Sequence, residues 1–333
     1  MLFLKRIFVT MRFVFYILCL FCFFQFITAN YGFENHVLKN EDPKLCKNVI
    51  GIINPHTNLN ENYIFDQSIY QLKVQELPQV KFWRSIMNLS QDSAILCFHD
   101  NREIIQKISI LDWNSKSDSL KKMYKDSVRL IKKIDTNNRI LITSGKKFFY
   151  DFEKTSKNFH QGINCFVSNG VNPWYAQAIL LIESPNKLQK SSAGAYGSFQ
   201  LMKGVARKFG LKVNRTIDER ADFEKSAFAA SSLIKNICIP NAIKILDSLQ
   251  IQNYDQEDLW FKLLVMHVYH AGAYNVEKAL FTFNPKQGDL NLIYGLWQTQ
   301  TNHFKSASQN YSQLILAAML EMNDRRNLLK TTH

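Results

Sequence analysis

The segment LWFKLLVMHVYHAG, residues 259–272, is apolar around nearly the whole circumference of a helix. A helix at a protein surface keeps one polar face, so a helix without one has to be wrapped by others. This element therefore belongs at the centre of a helical domain. The flanking chain agrees: from about residue 155 to 325 apolar residues recur at helical spacing, with no alternating strand pattern between them, so this half reads as mainly α. Asn172-Pro173 starts one helix, with the Asn side chain as cap and the proline where its missing donor is not needed. That helix should run to Glu183, because Pro185 disfavours helical geometry at Ser184. A glycine-containing loop, SSAGAYGS, follows, and then a second helix over about 199–209 that closes on Gly210. Asp222 caps a third, FEKSAFAASSLIKNI, bounded by Pro240, and YSQLILAAMLEM is the last.

The preceding region, residues 30–154, reads as α+β and carries no motif that converts into chemistry. Residues 30–80 are rich in Asn, Gln and Lys and predict loops and short elements. SLKKMYKDSVRLIKKI predicts a helix with Leu120, Met123, Val128, Ile131 and Ile134 near its packed face and lysines as solvated surface opposite. RILITSGKKFFYDF alternates on both sides of Ser144-Gly145, the pattern of a hairpin.

Residues 1–29 have a different character. Lys5, Arg6 and Arg12 precede an apolar run over 13–24, and Ile27-Thr28-Ala29 offers small residues for cleavage, which is the pattern of an export signal. Export to the periplasm or cell envelope is expected, with membrane attachment only if the segment stays uncleaved. Neither Cys19 nor Cys22 follows a small residue, which argues against a lipid anchor. Without this segment the formal charge falls from +13 by three basic residues to about +10, a balance that draws a protein to anionic polymers. No basic run interleaved with aromatics stands out, so nucleic acid is not the expected partner, and a cell-wall polymer or membrane surface fits an exported chain better. Cys46, Cys97, Cys165 and Cys238 allow three disulfide pairings, or remain buried thiols, and their spacing matches no zinc pattern.

Glu183 is the residue with the sharpest chemical implication. It ends the run AILLIE, with Ala176, Ile179 and Leu180 over the adjoining turns. Apolar neighbours and a carbonyl-rich helix end both disfavour the charged carboxylate, so its pKa should rise. A carboxylic acid still protonated near neutral pH can donate a proton to a glycosidic oxygen. The plainer alternative is a helix-end residue paired with a lysine such as Lys187.

The segment ESPNKLQKSSAGAYGSFQLMKGVARKFGL resembles the lytic transglycosylase (SLT) domain of glycoside hydrolase family 23 in its Glu-Ser, its glycine loop and its glutamine. Asp218, Arg220 and Asp222 resemble the DxRxD segment of the branch of membrane-bound lytic murein transglycosylase D. VYHAGAYNV and SQNYSQLILAA resemble two later family motifs, so the likeness covers about residues 160–322. The resemblance implies a lysozyme-like helical fold of the goose type over 155–325, peptidoglycan glycan strands as partner, and neither metal nor cofactor. It also implies Glu183 as the one catalytic carboxylate, with Ser184, Gln200, Tyr269 and Tyr311 lining the sugar cleft. The implied reaction cuts between N-acetylmuramic acid and N-acetylglucosamine and leaves a 1,6-anhydro end. Hydrolysis by a goose-type lysozyme and glycan binding without cleavage are the alternatives. His270 stands where the family usually has asparagine, and is not read as catalytic.

Overall fold

A computed structural model describes residues 45, 47–53, 60–183 and 188–331, and these form one compact unit. The export segment, Cys46, Ser184 and Lys187 lie outside the described residues.

The chain is mainly helical, with a small antiparallel component before residue 150. Strands β1 (Val49–Ile53) and β2 (Asn60–Ile64) pair in the register Val49↔Ile64, and a short helix α1 (Ser68–Gln71) follows. Helix α2 (Pro78–Asn88) begins on a proline and buries Val80, Phe82, Trp83, Ile86 and Met87. Before Pro78 the described residues thus form short elements.

Next come β3 (Ser93–Phe98), β4 (Ile104–Ser109), the short helix α3 (Ile110–Asn114), helix α4 (Asp118–Lys132) and β5 (Ile140–Ser144). The strands form an antiparallel sheet in the order β4-β3-β5, and β3 is buried over 94–98. Leu96 and Phe98 of β3 pack with Trp113 and Ile140, and that cluster is covered by Tyr124 and Val128 of α4 and by Ile134 just beyond it.

Two expectations for this region need correction. Of the five residues assigned to the packed face of α4, Val128 and Ile134 do pack on the sheet, but Leu120, Met123 and Ile131 are exposed. The helix is rotated so that Tyr124 makes the contact, edge-on to Trp113 at 5.6 Å. The segment 139–152 is not a hairpin either. Its first half pairs as β5 with the distant β3, and its second half turns away because Lys146 and Lys147 donate backbone N–H bonds to Ile86 and Leu89 of the α2 end. Gly145 permits that approach, since a Cβ there would lie 2.1 Å from the Ser90 carbonyl oxygen.

The helical part continues with α5 (Phe152–Ser156), α6 (Phe159–Ser168), α7 (Trp174–Glu183), α8 (Lys203–Lys208), α9 (Phe223–Leu233), α10 (Ile239–Ser248), α11 (Leu259–Ala271), α12 (Ala273–Phe283), α13 (Leu290–Gln298) and α14 (Ser306–Thr331). Helix α11 is central as expected, buried continuously from Leu259 to Val268 and packed against α10, α12, α13 and α14. Asp222 caps α9, its side chain accepting from the Lys225 N–H at 3.0 Å. Pro240 does not end the run it was expected to bound. The chain passes through a π turn, Ile234–Cys238, whose wider hydrogen-bond step accommodates the missing N–H, and Pro240 sits in the first turn of α10. Helix α8 starts at Lys203 rather than near 199, because Gln200 is left-handed (φ +46°) and Met202 extended. Cys97, Cys165 and Cys238 are buried free thiols.

Residues before 90 enter the core of the helical part. Gln177 of α7 is fully buried and bonds both backbone groups of Ile64, at 2.7 Å to its N–H and 3.0 Å to its carbonyl. Trp83 of α2 donates to Gln313 of α14 at 3.0 Å. Asp66, just after β2, meets Lys262 of α11 at 3.4 Å, both being almost wholly buried. A buried pair of this kind adds little over apolar packing, whereas a lone buried charge is costly. Asp66→Ala should therefore lower unfolding stability by roughly 3–5 kcal/mol, and adding Lys262→Met should restore most of the loss. Urea unfolding of both variants decides it; a wild-type midpoint for the single variant would show that the pair does not secure this junction.

Candidate active site

Helix α7 is buried from Trp174 to Ile182, no residue exceeding 8% exposure. Asn172 starts it as expected, its Oδ1 accepting from the Trp174 N–H at 2.8 Å. Between Gln177 and the helix end every side chain is aliphatic, so Glu183 is the first carboxyl of the helix, and it sits only partly open at the end of the element. Burial raises its pKa from the ordinary 4.5 to about 7, and a hydrogen bond from Tyr311 works against that shift. The Tyr311 hydroxyl donates to Glu183 Oε1 at 2.6 Å. Near neutral pH the carboxyl is thus divided between its two forms, the condition under which one group can both give and take a proton.

Three phenols surround this group. Tyr311 and Tyr269 are both held well above the ordinary tyrosine range, first by burial and then by the nearby Glu183 charge. Tyr269 donates to the Phe199 carbonyl at 2.6 Å, which ties α11 to the glycine loop. The third is Tyr150, 8% exposed and raised by the same two causes. Sequence reasoning missed it: it lies in the segment taken for a hairpin, and no local spacing links it to Glu183.

Tyr311 is itself held from several sides. The His270 ring stacks on it, with centroids 4.2 Å apart and planes at 23°. Though one edge of the imidazole is open, the surrounding protein pushes its pKa down to about 4, so the stacked ring is neutral. This is what the histidine in the asparagine position does here. The next residue on α14, Ser312, accepts from the Trp297 indole N–H at 2.7 Å and lies 2.8 Å from His267 Nε2. Burial depresses His267 to about 3, so its ring is neutral and one of its nitrogens is free to accept a proton.

The loop beside the acid is fixed by the DxRxD segment. Arg220 is 3% exposed, pairs with Asp218 through two 2.8 Å contacts, and donates to the carbonyls of Gly194 and Leu201 at 2.9 and 2.8 Å. Gln200 closes the same loop: its Nε2 donates to the Gln189 and Gly197 carbonyls at 2.9 and 3.1 Å, and among the described residues nothing donates to its Oε1. Its left-handed backbone is an unusual state for a non-glycine residue and is held by these bonds. Glu183, Tyr269 and Tyr311 are brought together directly, and Gln200 joins them through Phe199, its neighbour in the chain. Ser184 lies outside the described residues.

Gly197 has φ +87°, and a Cβ there would stand 2.0 Å from the Arg220 carbonyl oxygen. Gly194 has the same φ with open space around it. Gly197→Ala should therefore displace the loop and lower turnover on murein by about 100-fold, the scale set by misplacing groups by about 1 Å, while Gly194→Ala costs far less. Equal activities for the two variants would show that the loop's fit against Arg220 does not matter.

Residues 167–289 match the family model described as Transglycosylase SLT domain. No curated protein matches the chain. The matched segment contains Glu183, the glycine loop with Gln200, the Arg220 clamp and Tyr269, while Tyr150 and Tyr311 reach the same carboxyl from either side of it. The chain therefore carries, over residues 167–289, a transglycosylase SLT domain, a lysozyme-like fold whose family comprises the lytic transglycosylases of peptidoglycan, which are lyases.

Proposed function

We propose that the protein cleaves peptidoglycan between N-acetylmuramic acid and N-acetylglucosamine, with Glu183 as the single acid and base, and leaves 1,6-anhydro-muramoyl ends. The observation that carries this reading is a carboxyl with a pKa near 7 bonded to Tyr311 within the SLT domain setting. In the first half of the reaction protonated Glu183 gives its proton to the bridging oxygen as the bond from that oxygen to the muramoyl C1 breaks. In the second half the carboxylate takes the proton from the muramoyl 6-hydroxyl as O6 closes on C1. The nucleophile is part of the substrate, so its effective concentration is high and no water has to be positioned. Among the described residues no second carboxylate shifts Glu183, in keeping with a one-carboxylate mechanism.

The remaining roles follow from placement. Tyr311 aims the carboxyl and stabilises its ionised form midway through the cycle. Tyr269 holds the loop carbonyl of Phe199 at the acid, and the open Oε1 of Gln200 is available to an N–H donor on substrate, such as an acetamido or peptide group. Ser184, next to the acid in sequence, completes the proposed substrate contacts. The export segment over 1–29 would deliver the enzyme to the envelope, where its substrate lies.

The product distinguishes this reaction from hydrolysis. Mass spectrometry of digested murein should show anhydro-muramoyl ends, 18 Da lighter than reducing ends by the mass of one water; a digest carrying reducing muramoyl ends would assign the chemistry to a muramidase, and no soluble product to a binding protein.

Glu183→Gln should abolish turnover and stabilise the fold. The folded pKa of about 7 lies above the ordinary 4.5, so the ionisation penalty is absent below pH 4.5, grows between 4.5 and 7, and is complete above 7. Removing the charge should raise stability at pH 8 by up to about 3 kcal/mol, and hardly at all at pH 4. Thermal unfolding of wild type and variant at the two pH values tests the sign; a variant less stable at pH 8 would mean that Glu183 is charged and well solvated.

A further inference from the structure

Between the turn that joins β3 to β4, the end of α13 and the start of α14 lies a polar cavity of about 350 Å³. Its walls come from residues before 103 and after 296, outside the matched domain, and no group of the proposed reaction lines it. Arg102 is its single permanent cation. The guanidinium lies over the Phe82 ring at 5.4 Å and donates to Asn310 Oδ1 at 3.2 Å and to Cys97 Sγ at 4.0 Å, so it is held in place with N–H groups to spare. Among the described residues no carboxylate pairs with it. The two acids nearest in the chain are engaged elsewhere, Asp100 with His99 Nδ1 at 3.0 Å and Glu103 with Lys132 at 3.6 Å. Asn310 Nδ2, beside the guanidinium, has no acceptor among the described residues. Gln309 is 8% exposed and spends its Nε2 on the Thr299 carbonyl at 3.0 Å, which leaves its Oε1 without a donor at the cavity wall. The backbone of Arg102 is left-handed (φ +60°), an unusual state for a residue with a side chain, and its N–H bonds the Phe98 carbonyl at 3.1 Å.

We propose that this cavity binds a free carboxylate of a murein stem peptide. Arg102 and Asn310 Nδ2 donate to the carboxylate oxygens, and Gln309 Oε1 accepts from a peptide N–H. A guanidinium fork with an amide donor next to it matches the planar carboxylate. Other ligands fit less well. Sugar rings are neutral and leave Arg102 unanswered, and no aliphatic side chain lines the cavity to receive an acyl chain. One cation with Asp100 at the wall suits a single negative charge, not the phosphate chain of a nucleic acid. On α14, Gln309 and Gln313 lie about 200° round the helix from Tyr311, so the cavity faces away from Glu183. It therefore acts as a second hold on a cross-linked substrate rather than as a subsite of the sugar cleft. The choice of murein as the source rests on the function proposed above.

The test titrates the full chain, by calorimetry, with a stem tetrapeptide released from murein and with the same peptide after its carboxylates are converted to amides. The acid form should bind, and the amide form should bind at least about tenfold more weakly, the scale of one charge-assisted hydrogen bond. Asn310→Asp, which keeps the shape and sets a carboxylate against Arg102, should weaken the acid form by a similar factor. Arg102→Met, which keeps an unbranched stem over Phe82, should do the same; if thermal unfolding shows that it fails to fold, Asn310→Asp carries the test. On binding, amide exchange in the wild type should slow over residues 99–103 and 297–310. No binding of the acid form, equal binding of the amide form, wild-type binding by Asn310→Asp, or slowing confined to the glycine loop at 189–201 would each overturn the proposal. The probe carries no sugar, so its failure to bind leaves the anhydro product to be tested separately, and a failure of that product leaves this binding measurable.

Discussion

The structure turns on burying a helix that has no polar face. Helix α7 is enclosed from Trp174 to Ile182, and its interior amide, Gln177, is satisfied by both backbone groups of Ile64. That enclosure is what an isolated polar group in a core requires. It also determines the chemistry at the end of the helix. The packing that secures nine residues carries Glu183 with it, and the carboxyl emerges where solvent is too sparse to stabilise its charge. Fold and acidity thus come from one cause. A buried carboxyl placed in this way works against stability locally, and the core of α6, α9 and α14 packed around its helix supplies the excess.

Legibility in the sequence followed how local each determinant is. The central position of α11 could be read because a helix apolar on every side has one solution, and the caps at Asn172 and Asp222 could be read because a cap acts within three residues. The raised pKa of Glu183 was visible for the same reason: its apolar neighbours are its own helical turns. What could not be read was set by distant partners. The rotation of α4 depends on where Trp113 and Leu96 present their surfaces, and its most apolar arc ended outside. The segment after Gly145 looked like a returning strand, yet hydrogen bonds to the end of α2 direct it elsewhere and bring Tyr150 to the acid. Pro240 looked like a stop because the π turn before it has no local signature.

The DxRxD segment shows how a motif gains physical meaning. As sequence, Asp218, Arg220 and Asp222 only supported a resemblance. In the fold they divide the work: Asp218 orients the guanidinium, Arg220 uses it to hold two loop carbonyls, and Asp222 begins α9. A lysine could not replace this arginine, since the fork must face a carboxylate and two carbonyls together. Gly197 is the counterpart on the loop, small enough for its backbone to reach the Arg220 carbonyl. The strained conformation of Gln200 is sustained between them.

The alignment of Tyr311 with Glu183 depends on contacts that the matched domain does not contain by itself. On α14, the residue after Tyr311 is bonded to Trp297 and His267, and the one after that, Gln313, accepts from Trp83 in α2. Two consecutive positions are thus fixed on different sides of the helix, which restrains its rotation as well as its position. A phenol donating at 2.6 Å has its bond lengthened and bent when the helix turns, so that restraint reaches the carboxyl directly. Ile64 anchors α7 and Trp83 anchors α14, and both come from the motif-poor region that precedes the domain. These early residues therefore set the angle between the acid and its phenol, although none of them carries a reactive group.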